Sequence, residues 1–308
     1  MMRVAVTGGA GFIGSNLTKR LVNDGVDVVV IDDLSTGLLE NLNNVDIDFQ
    51  NVSLLNRNGL SQIFANVDFI FHLGARGSVP RSIQDPQATH EVNATGTLNV
   101  LEAARKRSIP IVFSSSSSVY GRNSKLPKSE DMWTSPLSPY AASKLSGEGY
   151  VQSYAYSYNL SATIFRFFNV FGPLQRPNHD YAAVIPKWIY KALRNEPIQI
   201  YGDGTQTRDF TFVDTVVEVL VNCLESELNY KTPINLAFGN KISLNQVTEM
   251  ILRSFPDLKV EYREKRHGDV HDSQNSPELL RKLFPTIIPI DFEKGLEQTI
   301  KWMRSSIE

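Results

Sequence analysis

Residues 3–16 read "RVAVTGGAGFIGSN": a β-branched apolar run that stops at Thr7, followed by Gly8, Gly11 and Gly14 at intervals of three. The run predicts a buried strand over 3–7, and the stretch after the glycines predicts a helix over 14–24. A glycine directly after a strand permits a tight turn, and a second lets a ligand approach the backbone. A third lets the helix pack close to the strand, while the helix N-terminus turns unpaired N–H groups and positive potential towards a phosphate. The second strand, "DVVVID" over 27–32, ends on Asp32 with Asp33 beside it. A carboxylate at that place accepts hydrogen bonds from ribose hydroxyls and repels a 2′-phosphate, which favours NAD over NADP.

Further strands are expected at 67–73 ("VDFIFHL"), 109–114 ("IPIVFS") and 161–167 ("SATIFRF"), with helices at 92–107 and 139–158 between them. Continuous rather than alternating apolar strands indicate a sheet covered on both faces. The strand–helix rhythm predicts an α/β fold with a Rossmann-type doubly wound parallel sheet. After about residue 170 the rhythm breaks. A loop "GPLQRPNHDY" leads to an apolar helix "AAVIPKWIYKAL", short strands "PIQIYG" and "RDFTFV", and Ser243 with Gln246 at capping-box spacing. We therefore expect an NAD-binding domain over 1–170 and a smaller mixed α/β substrate-binding lobe over 171–308, some of whose segments return to the sheet.

With 308 residues, 42% of them hydrophobic and 21% charged, the chain suits a soluble protein with a substantial core. A net charge of −2 gives no reason to expect nucleic acid or an acidic membrane as partner. Its single cysteine, Cys223, excludes an intramolecular disulfide and a cysteine metal cluster. The five histidines form no convincing ligand set, so no metal is expected. No apolar run reaches membrane-spanning length and no signal peptide opens the chain, so a cytoplasmic location is expected.

Two stretches carry chemistry. "VFSSSSSVYG" (112–121) has the composition of a linker but follows an apolar strand. "SPLSPYAASKLSGEGYV" places Tyr140 and Lys144 four apart on one helix face, with Ser138 as a cap and Pro139 in the first turn. A tyrosine titrates near pH 10, and a neighbouring ammonium with a cationic nicotinamide lowers that value towards useful basicity. The Tyr–Lys spacing alone recurs by chance; with the glycine turn it is specific.

Seven motifs spread over nearly the whole length, "TGGAGFIG", "FHLGA", "SSSSSVYG", "SPYAASK", "FRFFNVFGP", "GDGTQTRDF" and "RHGDVHDS", resemble the extended short-chain dehydrogenase/reductases. Within them the chain is similar to the NAD-dependent UDP-sugar 4-epimerases, isomerases acting on UDP-glucose or UDP-N-acetylglucosamine. The resemblance implies Ser116, Tyr140 and Lys144 as the catalytic groups, Ser116 being found by counting back from Val119-Tyr120-Gly121. It implies cofactor contacts at Gly8, Gly11, Phe12, Ile13, Gly14, Asp32, Asp33, Leu34, Ser35, Thr36 and Gly37. The same set continues with Ser53, Leu54, Leu73, Gly74, Ala75, Asn93 and Phe168, besides Tyr140 and Lys144. Substrate contacts are implied at Val79, Arg81, Ser116, Ser117, Tyr140, Asn169, Arg176, Val184, Gln199, Tyr201, Arg208, Arg266, Asp269 and Ser273. The two arginines 208 and 266 match those that pair with the diphosphate, a task suited to guanidinium. A homodimer through helices near 92–107 and 139–158 is implied as well.

The related 4,6-dehydratases carry Asp-Glu where this chain has Ser117 and Ser118, and the decarboxylases keep a Glu there. Hydroxyls do not replace carboxylates in abstracting a proton beside a carbonyl, which argues against both reactions. Ser53 departs from an aspartate that relatives use against the adenine amine. A small Ser273 leaves room for a 2-N-acetyl group, whereas Arg176 resembles an arginine that holds the carboxylate in UDP-glucuronate 4-epimerases. "GSVPRS" (77–82) resembles the loop of N-acetyl-sugar epimerases, and N-acetyl sugars are the preferred expectation.

Overall fold

A computed structural model describes residues 2–177, 182–265 and 271–307. In chain order the first strands are β1 (Arg3–Thr7), β2 (Asp27–Ile31), β3 (Asp48–Gln50), β4 (Phe69–His72), β5 (Ile111–Ser116) and β6 (Ala162–Phe167). The helices among them are α1 (Phe12–Asn23), α2 (Arg57–Ile63), α3 (Val79–Gln84), α4 (Pro86–His90), α5 (Gly96–Arg105) and α6 (Pro139–Ser157). With a late strand, Ile234–Leu236, they build a seven-stranded sheet. Its order is Ile234–Leu236, β6, β5, β4, β1, β2, β3, and every pairing is parallel. Strand order therefore reverses between β1 and β4, the place where doubly wound sheets bind ligands beyond the strand C-termini.

The β-branched and aromatic residues of β1, β2, β4, β5 and β6 are buried, as a sheet covered by helices requires, and Phe49 of the edge strand β3 is half-buried. Val29, Ile31, Ile70, Ile111, Phe113 and Ile164 share one core with Leu60 of α2, Val100 and Leu101 of α5, and Val151 and Tyr154 of α6. Each such side chain contributes about 1.5–3 kcal/mol by burial.

The chain divides into two units. The first comprises Met1–Ser124, Glu130–Phe167 and Val217–Leu236, and the second Lys125–Ser129, Phe168–Val216 and Ala237–Glu308. In the second, strand Ile198–Tyr201 pairs in parallel with Val260–Arg263, and Asn169–Phe171 with Phe210–Phe212. Phe171 gathers Phe210, Phe212 and Phe292 around it, with ring centroids 5.0–6.0 Å away. The capping box at Ser243 and Gln246 is formed and opens the helix Leu244–Ser254.

Several boundaries differ from the expectations. β5 continues through Ser116 rather than stopping at Ser114, because residues 114–116 pair with Phe165, Arg166 and Phe167 of β6. The expected helix 92–107 is a π-helical turn, Glu91–Thr95, running into α5. "RDFTFV" (208–213) is interrupted: Arg208 ends the strand Thr207–Arg208, Phe210–Phe212 is a second strand and Val213 opens a helix, since the buried Asp209 turns its side chain to other backbone N–H groups.

Candidate active site

The glycine turn is shaped by what cannot fit. Gly8 has φ +70°, and a Cβ there would stand 2.6 Å from Gly74 Cα. A Cβ on Gly14 would overlap the Gly8 carbonyl, so α1 starts flush against β1. Gly11 is the N-cap of α1 and no side chain caps that terminus, which leaves its first N–H groups for an anion. Asp32, only 8% exposed, accepts Ala10 N–H at 3.0 Å and Leu34 N–H at 2.8 Å. Burial raises its pKa, an effect those two N–H groups oppose. Asp33 is exposed and accepts Ser35 N–H, and Gly37 lies so close that a Cβ would meet both Asp32 carboxylate oxygens at 2.9 Å. An uncapped helix start, a backbone stripped of Cβ atoms and a carboxylate at the end of β2 fit NAD. Ser35 and Thr36 are exposed, whereas Phe12, Ile13 and Leu34 are half-buried.

Beside the turn, β4 delivers Leu73, Gly74 and Ala75 through a buried relay. Thr97 donates its hydroxyl to the Asn93 carbonyl at 2.6 Å and so accepts from His72 Nε2, 2.9 Å away. His72 Nδ1 is then the acceptor for the Thr7 hydroxyl at 2.7 Å, and Thr7 Oγ1 accepts Gly74 N–H at 3.1 Å. Only a neutral imidazole permits this order, and burial, with Lys144 nearby, pushes the His72 pKa down to about 3. Asn93 lies in the π-helical turn, a distortion frequent at functional sites. Its side chain binds both backbone groups of Arg76 and donates to Ser143 Oγ at 2.9 Å, tying the loop after β4 to α6. Ser53 hydrogen-bonds Leu55 N–H, while Leu54 is buried and its carbonyl accepts from Asn99. Val79 and Arg81 lie on α3, Val79 being 37% exposed.

The serine run is a strand end and a capped turn. Ser114 donates to the His72 carbonyl at 3.2 Å, and its own carbonyl accepts Lys144 Nζ at 2.8 Å. Ser116 Oγ accepts Ser118 N–H and caps the short 3₁₀ turn Ser117–Tyr120. On α6, Ser138 caps the N-terminus by accepting Ala141 N–H at 3.1 Å, with Pro139 in the first turn. Burial pushes the Tyr140 phenol above its ordinary value, and the nearby Ser116 hydroxyl partly offsets that rise. Lys144 is 3% exposed and lowered to about 8 by burial, with the Glu148 carboxylate opposing. Its ammonium is anchored to strand β5, so it keeps a fixed position one turn from Tyr140. The arrangement presents a hydroxyl, a phenol and an ammonium together at the C-terminal end of β5, which suits proton transfer to and from a substrate hydroxyl.

In the second unit Phe168 is buried, and Asn169 donates its side-chain amide to the Asp209 carbonyl. Val184 begins the helix Val184–Leu193, Arg176 is half-buried, and Gln199 and Tyr201 alternate with buried Ile198 and Ile200 on one strand. Ser273 donates its N–H to the Thr207 carbonyl at 3.1 Å, and Arg208 Nη1 donates to the His271 carbonyl at 3.0 Å. These bonds bring Ser273 and Arg208 onto adjacent backbone segments. Arg266 and Asp269 lie outside the described residues.

Sequence reasoning missed Thr7, His72, Thr97, Ser143, Ser115, Glu148 and Arg166. Two of them carried a signal: His72 and Arg166 each interrupt an otherwise apolar strand, and a polar group there must have a partner.

Residues 4–237 match the NAD dependent epimerase/dehydratase family. The UDP-glucose 4-epimerase of Mycolicibacterium smegmatis is 35% identical over 99% of this chain and 99% of its own length. The UDP-glucuronate 4-epimerase of Thermodesulfobacterium geofontis is also 35% identical, over 98% of this chain and 96% of its own. Among solved structures, the UDP-N-acetylglucosamine 4-epimerase from Methanobrevibacter ruminantium M1, in complex with UDP-N-acetylmuramic acid, is 39% identical. It superposes with a TM-score of 0.93 over 99% of both chains. With its glycine turn, an acid at the end of β2 and its Ser116, Tyr140 and Lys144, this chain belongs to the NAD dependent epimerase/dehydratase family, on the extended short-chain dehydrogenase/reductase scaffold.

Proposed function

We propose that this protein interconverts the C4 epimers of a UDP-hexose with NAD, and that Ser116, Tyr140 and Lys144 perform the proton chemistry. The observation that carries this reading is the Tyr140 phenol, in reach of the Ser116 hydroxyl that opposes its burial-driven rise, beside a buried, anchored Lys144. NAD held by the glycine turn and Asp32 supplies a reversible acceptor for the hydrogen on C4. Tyr140, as phenolate, takes the proton of the 4-hydroxyl and later returns it to the same oxygen, once the hydride removed from C4 has been given back to the opposite face of the 4-keto sugar. Ser116 holds that oxygen in place, and the Lys144 ammonium stabilises the phenolate. Ser117 and Ser118 supply no carboxylate for water elimination or decarboxylation. Tyr140→Phe should lower epimerisation by about 10²–10⁴-fold while NAD stays bound, the usual value of one acid–base group. Undiminished turnover in that variant, measured by resolving the C4 epimers chromatographically, would overturn the assignment.

The small Ser273 supports UDP-N-acetylhexosamines over UDP-glucose, and Arg176 is the observation favouring UDP-glucuronate as the second reading. Parallel incubations with the three UDP-sugars separate them. The uridine diphosphate is assigned to Gln199, Tyr201 and Arg208, together with Arg266 and Asp269. We also read the protein as a cytoplasmic homodimer. Tyr150 and Tyr156 of α6 are 39% and 67% exposed, aromatic surface of the kind a helix-to-helix interface covers. Light scattering on the purified protein tests the dimer. No described helix is long and apolar enough to cross a membrane.

A further inference from the structure

Lys144 and Glu148 are one turn apart on α6, in a buried stripe that also holds Ala141, Val151 and Ala155. A helix face that otherwise packs small and apolar residues against the sheet has therefore taken in two ionisable groups. Glu148 is 2% exposed, and a carboxylate so placed needs charged and hydrogen-bonded partners. Arg166 of β6 grips it with both faces of the fork, Nε to Oε1 at 2.9 Å and Nη2 to Oε2 at 2.8 Å. Ser115 of β5 donates its hydroxyl to Oε1 at 2.5 Å. Arg166 Nη1 continues to the Tyr120 hydroxyl at 2.9 Å, which donates to Asn235 Oδ1 at 2.7 Å. The guanidinium also stacks on Tyr120, 4.8 Å from its ring centroid. The β5 strand end at Ser115 and the last residue of the turn, Tyr120, are thus bound to the one ion pair.

From this geometry we propose that Glu148 is a positioning residue of the reaction. Through Ser115 it fixes the strand end that presents Ser116, and through its charge it keeps Lys144 an ammonium. The proposal rests on the reading of Ser116, Tyr140 and Lys144 as the catalytic groups. Three features make Glu148 fit the role. Ser115 immediately precedes Ser116, so a shift of one residue in the clamp turns the reactive hydroxyl away. Glu148 lies one helical turn from Lys144 on the same face, where opposite charges attract. Burial alone would drive Lys144 towards the neutral amine, and Glu148 is the group that opposes it. The other titratable or charged groups around Lys144 are Tyr140 on its own helix, His72 on β4, and Arg166 on β6 behind Glu148. His72 is neutral, so Glu148 is the one carboxylate among these groups, and Arg166 offsets part but not all of its effect on Lys144.

Glu148→Gln and the double variant Glu148→Gln/Arg166→Met test this. The double variant leaves no buried guanidinium unpaired, so it reports even where the single one does not fold. In both, kcat should fall by about tenfold or more. KM for the UDP-sugar should stay within about twofold, and the alkaline limb of the kcat–pH profile should move down by about one unit. A fall in kcat with an unmoved limb, or an unchanged kcat, overturns the proposal. Tyr140→Phe, assayed beside them, separates the two readings. If it is inert and the limb does not move, the role of Glu148 alone falls; if it is active, the catalytic assignment falls and this role with it.

Discussion

The two units each bury a carboxylate completely, and they stabilise it by different means. In the first, Glu148 meets the forked guanidinium of Arg166 and the hydroxyl of Ser115. In the second, Asp209 is held by backbone N–H groups, from Gly239 and Asn240 at 3.0 Å and from Asn275 at 2.9 Å. A guanidinium carries a full charge and sits on a side chain that substitution can remove. Backbone dipoles are partial, and only the conformation of the chain supplies them. Burial accordingly dominates at Asp209 and pushes its pKa up to about 6 in spite of those bonds. The first arrangement suits a site that must keep its charges through a reaction. The second suits the joining of loops: Asp209 collects residues 238–240 and 275, while its own carbonyl receives Asn169.

The largest effect expected from breaking this contrast is at Glu148. Glu148→Ala strands the Arg166 guanidinium in the core and should cost about 3–5 kcal/mol in urea unfolding. Glu148→Gln/Arg166→Met removes both charges and should lie close to the parent. Equal destabilisation in the two variants would show that the pair contributes by packing rather than by charge.

Acid titration sharpens the contrast next, because His72 and Asp209 have opposite signs. The unfolded chain protonates its histidine near 6.5, whereas folded His72 stays neutral down to about 3. The unfolded state therefore binds more protons in that window, and stability rises with rising pH by about 1.4 kcal/mol per unit. Folded Asp209 keeps its proton up to about 6, but an unfolded aspartate loses it near 3.8. Its contribution is greatest below 3.8 and is lost as pH rises through 6, with a slope of similar size. Between pH 4 and 6 the two oppose each other. Asp209→Asn should leave a rising slope and His72→Gln a falling one, read from urea midpoints across that range.

The parts of the site that were legible in the sequence share a local cause. The glycine turn, Asp32, and the Tyr140–Lys144 helix with its Ser138 cap are set by residues within a few positions of one another. Strands β1, β2, β4 and β6 were legible as continuous apolar runs. β3, Asn169–Phe171 and Ile234–Leu236 are three residues each, too short for any periodicity to emerge. The end of β5 was hidden because serine is a poor strand former; pairing with β6 overrides that preference at residues 114–116. Helices α3 and α4 are short and each has a proline in its first turn, so they read as loop. The ion pair behind the site joins residues 18 apart in sequence, and no local pattern announces it. Its one trace is the arginine inside "SATIFRF", which an apolar strand tolerates only when a partner waits on the neighbouring helix.

Ser115→Ala is the mildest test of the same contrast and the most discriminating. It removes one neutral donor from Glu148 and leaves both Arg166 bonds in place, so stability should drop by about 1 kcal/mol. If Ser115 only helped to satisfy a buried carboxylate, kcat would follow that small change and stay near the parent value. If it transmits the position of Glu148 to the strand end, Ser116 loses its register towards Tyr140, and kcat should fall severalfold while NAD content holds and the urea midpoint moves by no more than that loss of about 1 kcal/mol. The separation of those two readouts in one protein preparation decides whether the first unit's buried carboxylate serves the fold alone or the fold and the reaction together.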